Sequence, residues 1–197
     1  MKLYNFKISL LVILAVLLLF DTACSQEKKP TAKQSTSDLS PLVLQVKSIA
    51  PTGENEPVDL TWMENGKEHK LSEFLKGKIT FMNFWGTWCP PCRAEIPHLI
   101  DLAKKYESNG FQIVGIALER TEDNVMGLVS DFVKKSNINY RIFPSRPYAE
   151  EFSKKFGAIQ YVPTTFVVGR DGKILETIVG GRDHKAFEDI INKYINN

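Results

Sequence analysis

Two cysteines, Cys89 and Cys92, stand between an apolar, strand-like run (Ile79 to Phe84) and a helical pattern (Ala94 to Tyr106). A strand that delivers a Cys-X-X-Cys pair to the start of a helix is typical of a thiol redox site. Unpaired amides and the positive end of the helix dipole stabilise a thiolate at that position. We expect Cys89 just outside the first turn and Cys92 inside it, so Cys89 is predicted to attack and Cys92 to resolve.

Pro90 and Pro91 separate the two cysteines. The fixed φ and missing N–H of proline are tolerated in a first helical turn. The prolines also remove amides that could donate to the Cys89 sulfur, which leaves chiefly the Cys92 amide. We therefore predict a Cys89 pKa below the free value of about 8.5 but well above about 3.5, the value in strongly oxidising proteins. A weakly stabilised thiolate favours a reducing pair.

Two other interpretations of the cysteine pair remain open. The pair could supply two of the four ligands of a zinc site, which would then need two further ligands. The remaining candidates are one cysteine and three scattered histidines, Cys24, His69, His98 and His184. An inert structural disulfide is the other interpretation, but so short a loop gains little stability from cross-linking. A redox pair without metal or cofactor is therefore favoured, and the histidines receive no role.

The first 23 residues differ in kind from the rest. The segment has two lysines near its start, followed by 13 predominantly apolar residues from Ile8 to Phe20. This pattern is typical of a signal peptide. Thirteen residues are too few for a bilayer span, which needs about 20. Ala23 and Cys24 at its end indicate a lipoprotein processing site, although Asp21 stands where such sites have an apolar residue. The alternatives are an ordinary cleaved signal and an uncleaved anchor, which leave Cys24 as an odd thiol.

The sequence predicts three regions. They are a signal segment over 1–23, a flexible tether over 24–56 and a folded domain over 57–197. Hydrophobic residues make up 43% of the chain and charged residues 24%, as in a soluble globular protein. The formal net charge is +2 and the lysines are scattered, so nucleic-acid binding has no support. No repeat and no second folded domain is evident.

Alternating strand and helix patterns predict an α/β sandwich with a mixed central sheet. Further strands are predicted at Val58–Met63, Phe111–Leu118, Tyr140–Phe143, Thr164–Val168 and Lys173–Val179. Further helices are predicted at Leu71–Leu75, Asp123–Ser136, Pro147–Phe156 and after Asp183, which can cap the last one. Apolar character over 42–49 allows a first strand, and Pro97 is expected to kink the helix that follows the cysteines.

The cysteine pair lies in the run Trp85-Gly86-Thr87-Trp88-Cys89-Pro90-Pro91-Cys92, followed by Arg93-Ala94-Glu95 and Pro97. This motif resembles the active site of the thioredoxin superfamily. Within it, residues 57 to 195 are most similar to membrane-tethered extracytoplasmic thiol–disulfide reductases of the TlpA, ResA and cytochrome c maturation type. The resemblance implies a thioredoxin-like three-layer sandwich, with the helix over 123–136 and the strand over 140–143 as a central insertion.

A second motif, Tyr161-Val162-Pro163-Thr164-Thr165-Phe166, resembles the cis-proline loop of the superfamily. A proline before a strand is by itself more often an ordinary turn, since about 5–6% of X–Pro bonds are cis. The resemblance implies a cis bond at Pro163, packed against the cysteines, and a Val162 backbone that pairs with an extended client. Trp88, Pro90 and Pro91 are predicted to complete the binding surface. Trp85 and Trp88 are both predicted to wall the site, and the alternative for each is a plain core residue.

Glu95 lies three positions after Cys92 on the same predicted helical face. Burial there would raise its pKa and let it accept the Cys92 proton during resolution. The alternative is a solvated carboxylate that complements the helix dipole. Asn83 stands where cytosolic thioredoxins, by resemblance, have a buried aspartate. An amide cannot take a proton, so Glu95 is the leading base and Glu119, after the next strand, the second candidate.

These features predict an exported, membrane-tethered thiol–disulfide oxidoreductase that reduces client proteins. The resemblance implies apocytochrome c as a client and a periplasmic location, and we expect a monomer. An extracytoplasmic compartment is oxidising, so a reductant there needs an electron donor, expected to be a membrane protein. The alternatives are a disulfide oxidase or isomerase on the same fold and a non-catalytic metal- or protein-binding module.

Overall fold

The computed structural model of the protein describes residues 42–157 and 159–196. The predicted signal segment, Cys24 and the predicted tether up to residue 41 lie outside these ranges. Within them, no helix has the length and the apolar character needed to cross a membrane.

The described residues form eight strands. They are β1 (Val46–Ala50), β2 (Asp59–Glu64), β3 (Lys67–Lys70), β4 (Ile79–Trp85), β5 (Phe111–Ala117), β6 (Arg141–Pro144), β7 (Thr164–Val168) and β8 (Ile174–Val179). The last five make one sheet in the order β6-β5-β4-β7-β8. In it β4, β5 and β6 are parallel, whereas β7 is antiparallel to both of its neighbours. All residues of β4 are buried, as expected for a central strand covered on both faces.

Helices cover both faces of this sheet. They are α1 (Leu71–Leu75), α2 (Pro90–Tyr106), α3 (Val125–Ser136), α4 (Arg146–Phe156) and α5 (His184–Ile195). Successive side chains of a strand point to opposite faces. Phe81 and Trp85 of β4 therefore share one core with α2, α3 and α5, whereas Met82 and Phe84 share the other with α1 and α4. This layering confirms the predicted sandwich, and α3 and β6 supply the helix–strand insertion.

A smaller antiparallel sheet, β1-β2-β3, lies N-terminal to the central one in the chain. A turn at Asn65 and Gly66 joins β2 to β3 with positive φ at both residues, which asparagine and glycine tolerate. Before β1, Val43 and Leu44 are buried, and the Leu44 amide donates to the Ile142 carbonyl of β6 at 2.9 Å. Residues 42–56, which the sequence places in the tether, thus contain a strand and pack against the sheet edge.

Most predicted boundaries agree with the structure to within two residues. The first strand begins at Val46 rather than at position 42, because residues 42–44 pair with the β6 edge instead of with β2. Helix α2 begins at Pro90, four residues before the apolar periodicity starts at Ala94. The two prolines occupy its first turn, where their missing N–H groups cost nothing. The helix continues through Pro97 to Tyr106.

Candidate active site

The two cysteines lie at the junction between the end of β4 and the start of α2. Cys89 is the N-cap of α2, with extended backbone, and the Cys92 amide donates to its sulfur at 3.3 Å. Pro90 and Pro91 fill the first helical positions and have no N–H to offer. Both cysteines are buried and their sulfurs are joined in a disulfide. This geometry confirms the predicted placement, with the Cys92 amide as the donor to the Cys89 sulfur.

The proline loop before β7 packs against this disulfide. The Val162–Pro163 peptide bond is cis, as the sequence motif indicated. The Val162 carbonyl oxygen lies 3.5 Å from the Cys89 sulfur, and the Pro163 carbonyl accepts a hydrogen bond from the Gly180 amide at 2.8 Å. The strand ladders of β7 begin at Thr164, so Val162 lies outside them. An extended segment beside the cysteines can therefore reach the Val162 backbone.

Glu95 is a buried carboxyl group, and only 2% of its surface is exposed. Its Oε1 accepts a hydrogen bond at 2.9 Å from the side-chain amide of Asn83, which also donates to the Thr165 hydroxyl at 2.9 Å. Its buried Oε2 accepts no hydrogen bond of good geometry from any described residue. Burial raises the pKa of Glu95 to about 7, while Asn83 and Arg182 partly oppose that rise. The prediction of a buried carboxyl is confirmed.

Glu119 holds the loop that precedes Cys89. Its side chain is buried, with Oε1 accepting from the Thr87 amide at 2.9 Å and Oε2 from the Thr87 hydroxyl at 2.7 Å. Both oxygens thus face the loop two residues before Cys89. From the sequence, Glu119 was predicted as a second candidate proton acceptor, and no role was predicted for Thr87. The structure instead ties Glu119 to Thr87 across the ends of two neighbouring parallel strands.

Trp88 is anchored beside the cysteines. Its indole N–H donates to the Leu118 carbonyl at 2.8 Å, and the Arg120 guanidinium carbon lies 3.7 Å from its ring centre. Gly86 makes room for the indole, because a Cβ there would lie 2.5 Å from Trp88 Nε1. About a third of Trp88 remains exposed, at 36%. Trp85 by contrast is a core residue, only 1% exposed and packed against Phe132 of α3.

The histidines lie away from any set of metal ligands. His69 stacks on Trp62, and His98 faces His184 at 6.0 Å between ring centres. Among residues 42–157 and 159–196, no three His, Cys, Asp or Glu side chains come together as a metal site. The buried groups around Cys89 are thus a second sulfur, a peptide carbonyl and a carboxyl with a pKa near neutrality. These groups are suited to thiol–disulfide exchange coupled to proton transfer.

Comparison with known proteins agrees with this chemistry. The profile of the Redoxin family matches residues 45–193. The thiol-disulfide oxidoreductase ResA of Bacillus thuringiensis subsp. konkukian is 36% identical over 128 residues, which are 65% of this chain and 69% of that protein. A solved thiol:disulfide interchange protein of the thioredoxin family from Chlorobium tepidum has a TM-score of 0.61 and 32% identity, covering 74% of this chain and 99% of that one.

StoA from Bacillus subtilis, another solved structure, has a TM-score of 0.54 and 26% identity, over 68% of this chain and 97% of that one. The family profile covers most of the folded region and includes both cysteines and the cis-proline. The chain therefore belongs to the Redoxin family and is a ResA-like thiol–disulfide oxidoreductase of the thioredoxin superfamily.

Proposed function

We propose that this oxidoreductase acts as a reductant of disulfides in client proteins outside the cytoplasm. The Cys89 thiolate attacks a client disulfide and forms a mixed disulfide, while the other client sulfur leaves as a thiolate. Cys92 then attacks the Cys89 sulfur and releases the second client thiol. The client gains two electrons and two protons, and the protein is left with the Cys89–Cys92 disulfide. The position of Cys89 as the N-cap of α2 is the observation that carries this proposal.

Glu95 is proposed to accept the proton that Cys92 must lose before it attacks. The support is a carboxyl group buried in the same helix, one turn from Cys92, whose pKa of about 7 suits a base at neutral pH. Asn83 holds the carboxyl in place through Oε1, and among the described residues Oε2 accepts no hydrogen bond of good geometry. This second oxygen is the one proposed to accept the proton.

The reducing direction rests on the limited support that the Cys89 thiolate receives. Pro90 and Pro91 offer no amide, so the Cys92 amide is the donor at the sulfur. A modestly stabilised thiolate gives a low reduction potential. We expect equilibration against glutathione or dithiothreitol to give a potential well below about −200 mV. A value near about −120 mV would assign the chain to the oxidases instead.

The proposed clients are proteins with accessible disulfides, and the resemblance to maturation reductases implies apocytochrome c among them. The cis-proline loop supports an extended client, because the Val162 backbone lies outside the sheet ladders and beside Cys89. The client is proposed to contact four residues around Cys89: the exposed Trp88, Pro90 and Pro91, and the buried Pro163. A membrane protein that passes on reducing equivalents is the proposed electron donor, and the protein is proposed to work as a monomer.

The proposed location is the outer face of the cytoplasmic membrane, with Cys24 as the lipid-bearing residue. The support is the charged and apolar pattern of the first 23 residues and the polar composition that follows. Fatty-acid labelling of cells that express the protein tests this part. Label on the wild type and none on Cys24→Ala supports the lipid anchor. An unlabelled wild type that still fractionates with membranes would indicate an uncleaved anchor.

A further inference from the structure

Three arginines lie around the candidate active site. Arg93 directly follows Cys92 in the first turn of α2, and Arg120 covers the ring of Trp88. Arg182 follows Gly181, at which an added Cβ would lie 3.6 Å from the Pro91 carbonyl oxygen and 3.9 Å from the Pro163 ring. We call Arg93, Arg120 and Arg182 the arginine rim. The rim thus borders both loops that flank the Cys89 sulfur.

The arginine rim carries positive charge that forms no ion pair with a described residue. All three side chains are exposed, and none forms an ion pair within residues 42–157 and 159–196. Some basic residues elsewhere, such as Lys105 and Lys185, instead pair with nearby carboxylates. The rim therefore keeps its charge available for a partner.

The described carboxylates near the rim form no ion pair with its arginines. Buried Glu95 lies nearest to Arg182: its Oε2 is 3.6 Å from where a Cβ at Gly181 would lie, and the Arg182 charge opposes the rise of its pKa. Glu119 is buried and accepts from Thr87, and Asp183 caps α5 by accepting from the Ala186 amide at 2.8 Å. A carboxylate supplied by another molecule would therefore have no ion pair to displace.

The geometry of two rim arginines suits a carboxylate partner. The Arg120 guanidinium carbon lies 3.7 Å from the Trp88 ring centre, and this contact with the aromatic ring leaves the guanidinium N–H groups able to bind a carboxylate. Arg182 uses Nη1 for the Gly180 and Gly181 carbonyls, at 3.2 and 3.0 Å, and its other donors have no described acceptor. A held guanidinium loses less side-chain entropy when it binds a carboxylate.

We propose that the arginine rim selects client segments with acidic side chains next to the disulfide. This inference rests on the proposed function, because the rim matters only if Cys89 attacks a client there. Exposed Trp88 and Tyr161 supply apolar contact on the same rim, and the arginines add charge complementarity. Charges at a rim act on encounter and on the choice of partner more than on affinity.

Two synthetic peptides test the rim. They share one disulfide and one core sequence, and the flanking residues are Asp and Glu in one and Lys in the other. The reduced protein is expected to reduce the acidic peptide with a kcat/KM about tenfold higher than the basic one, since exposed ion pairs are individually weak. At 1 M salt, where the screening length is about 3 Å, the preference should fall towards unity.

The double variant Arg93→Gln, Arg120→Gln keeps Arg182, whose charge lowers the pKa of Glu95, and should lose most of the preference by slowing on the acidic peptide. A rate on the basic peptide that does not fall shows that the variant remains folded and active. Lys134→Gln, an exposed charge on α3, is the control and should behave as wild type. Equal wild-type rates on both peptides, or a preference that survives undiminished in the double variant, would overturn the inference. If neither peptide is reduced, the proposed function itself fails.

Discussion

Asn83 of β4 donates a hydrogen bond to Glu95 of α2 at 2.9 Å, and this contact satisfies only one oxygen of a buried carboxyl group. The pair joins the central strand to the helix that carries Cys92. Because the Asn83 amide cannot accept a proton, Glu95 is the buried group proposed to accept the proton that leaves Cys92. Several consequences of this pair and of the neighbouring Glu119–Thr87 contact can be measured.

Glu95→Gln should slow the second step of the exchange reaction. The carboxylate form is the base, and the pKa is about 7, so resolution in the wild type should accelerate as pH rises through 7. In Glu95→Gln that pH dependence should vanish and the rate at pH 7.5 should fall by about a hundredfold. Stopped-flow measurement of mixed-disulfide decay checks this. Asp101→Asn, on the same helix, is the control, and an equal effect there would contradict the assignment.

Glu95 should also make the folded protein less stable at high pH. Its folded pKa, about 7, is above its ordinary value of 4.5, so the folded state binds the proton more tightly than the unfolded state. Stability from this group is therefore full below pH 4.5 and is lost as pH rises through 7, by up to roughly 3 kcal/mol. Urea unfolding of the oxidised protein at pH 5 and pH 8 measures it. Glu95→Gln should lack this loss, and an identical loss in the variant would refute it.

Glu119→Ala should loosen the loop before Cys89. It leaves the Thr87 amide without its acceptor, at a cost of about 1–3 kcal/mol in unfolding free energy. Thr87→Val removes only the hydroxyl contact and should cost about 1 kcal/mol. Denaturant unfolding checks both, with the exposed Glu122→Ala as a control expected to change stability by less than about 0.5 kcal/mol. Equal effects of Glu119→Ala and Glu122→Ala would show that the contact between Glu119 and Thr87 does not contribute to the free energy of unfolding.

Gly86→Ala should displace the indole of Trp88. The added Cβ would lie 2.5 Å from Trp88 Nε1 and 3.0 Å from the Leu118 carbonyl oxygen, so the ring must move and its hydrogen bond must break. We expect a loss of about 1–3 kcal/mol from overpacking. A changed indole N–H resonance of Trp88 in NMR would report the movement directly. An unshifted resonance would mean that the backbone absorbs the clash instead.

The cysteine pair was predicted from a local motif, and the cis-proline was implied by the resemblance to the thioredoxin superfamily. The helical face of Glu95 allowed either a buried or a solvated carboxylate, and the structure shows the buried one. Glu119 and Thr87 are 32 positions apart, and no pattern in the chain links them. The relationship that could have identified the pair is topological. Parallel neighbours β4 and β5 end at the same sheet edge, so the residues after each strand meet there.

The arginine rim was missed, and the tether was extended too far, for a related reason. The contact of Arg120 with Trp88 depends on the same meeting of strand ends, which single-sequence periodicity does not contain. Apolar character over 42–49 allowed a strand, but the pairing of Val43 with Ile142 at the β6 edge, almost 100 positions away, could not be predicted from local pattern. Burial of Val43 and Leu44 there depends on the tertiary fold.

Mixed-disulfide trapping with one defined peptide disulfide tests the central claim most directly. Intact-mass measurement of Cys92→Ala after reaction should show one peptide attached through Cys89, because attack occurs but resolution does not. Cys89→Ala should show almost no adduct under the same conditions. Efficient adduct formation at Cys92 in the Cys89→Ala protein, or no adduct in Cys92→Ala, would contradict the assignment of attacking and resolving sulfurs.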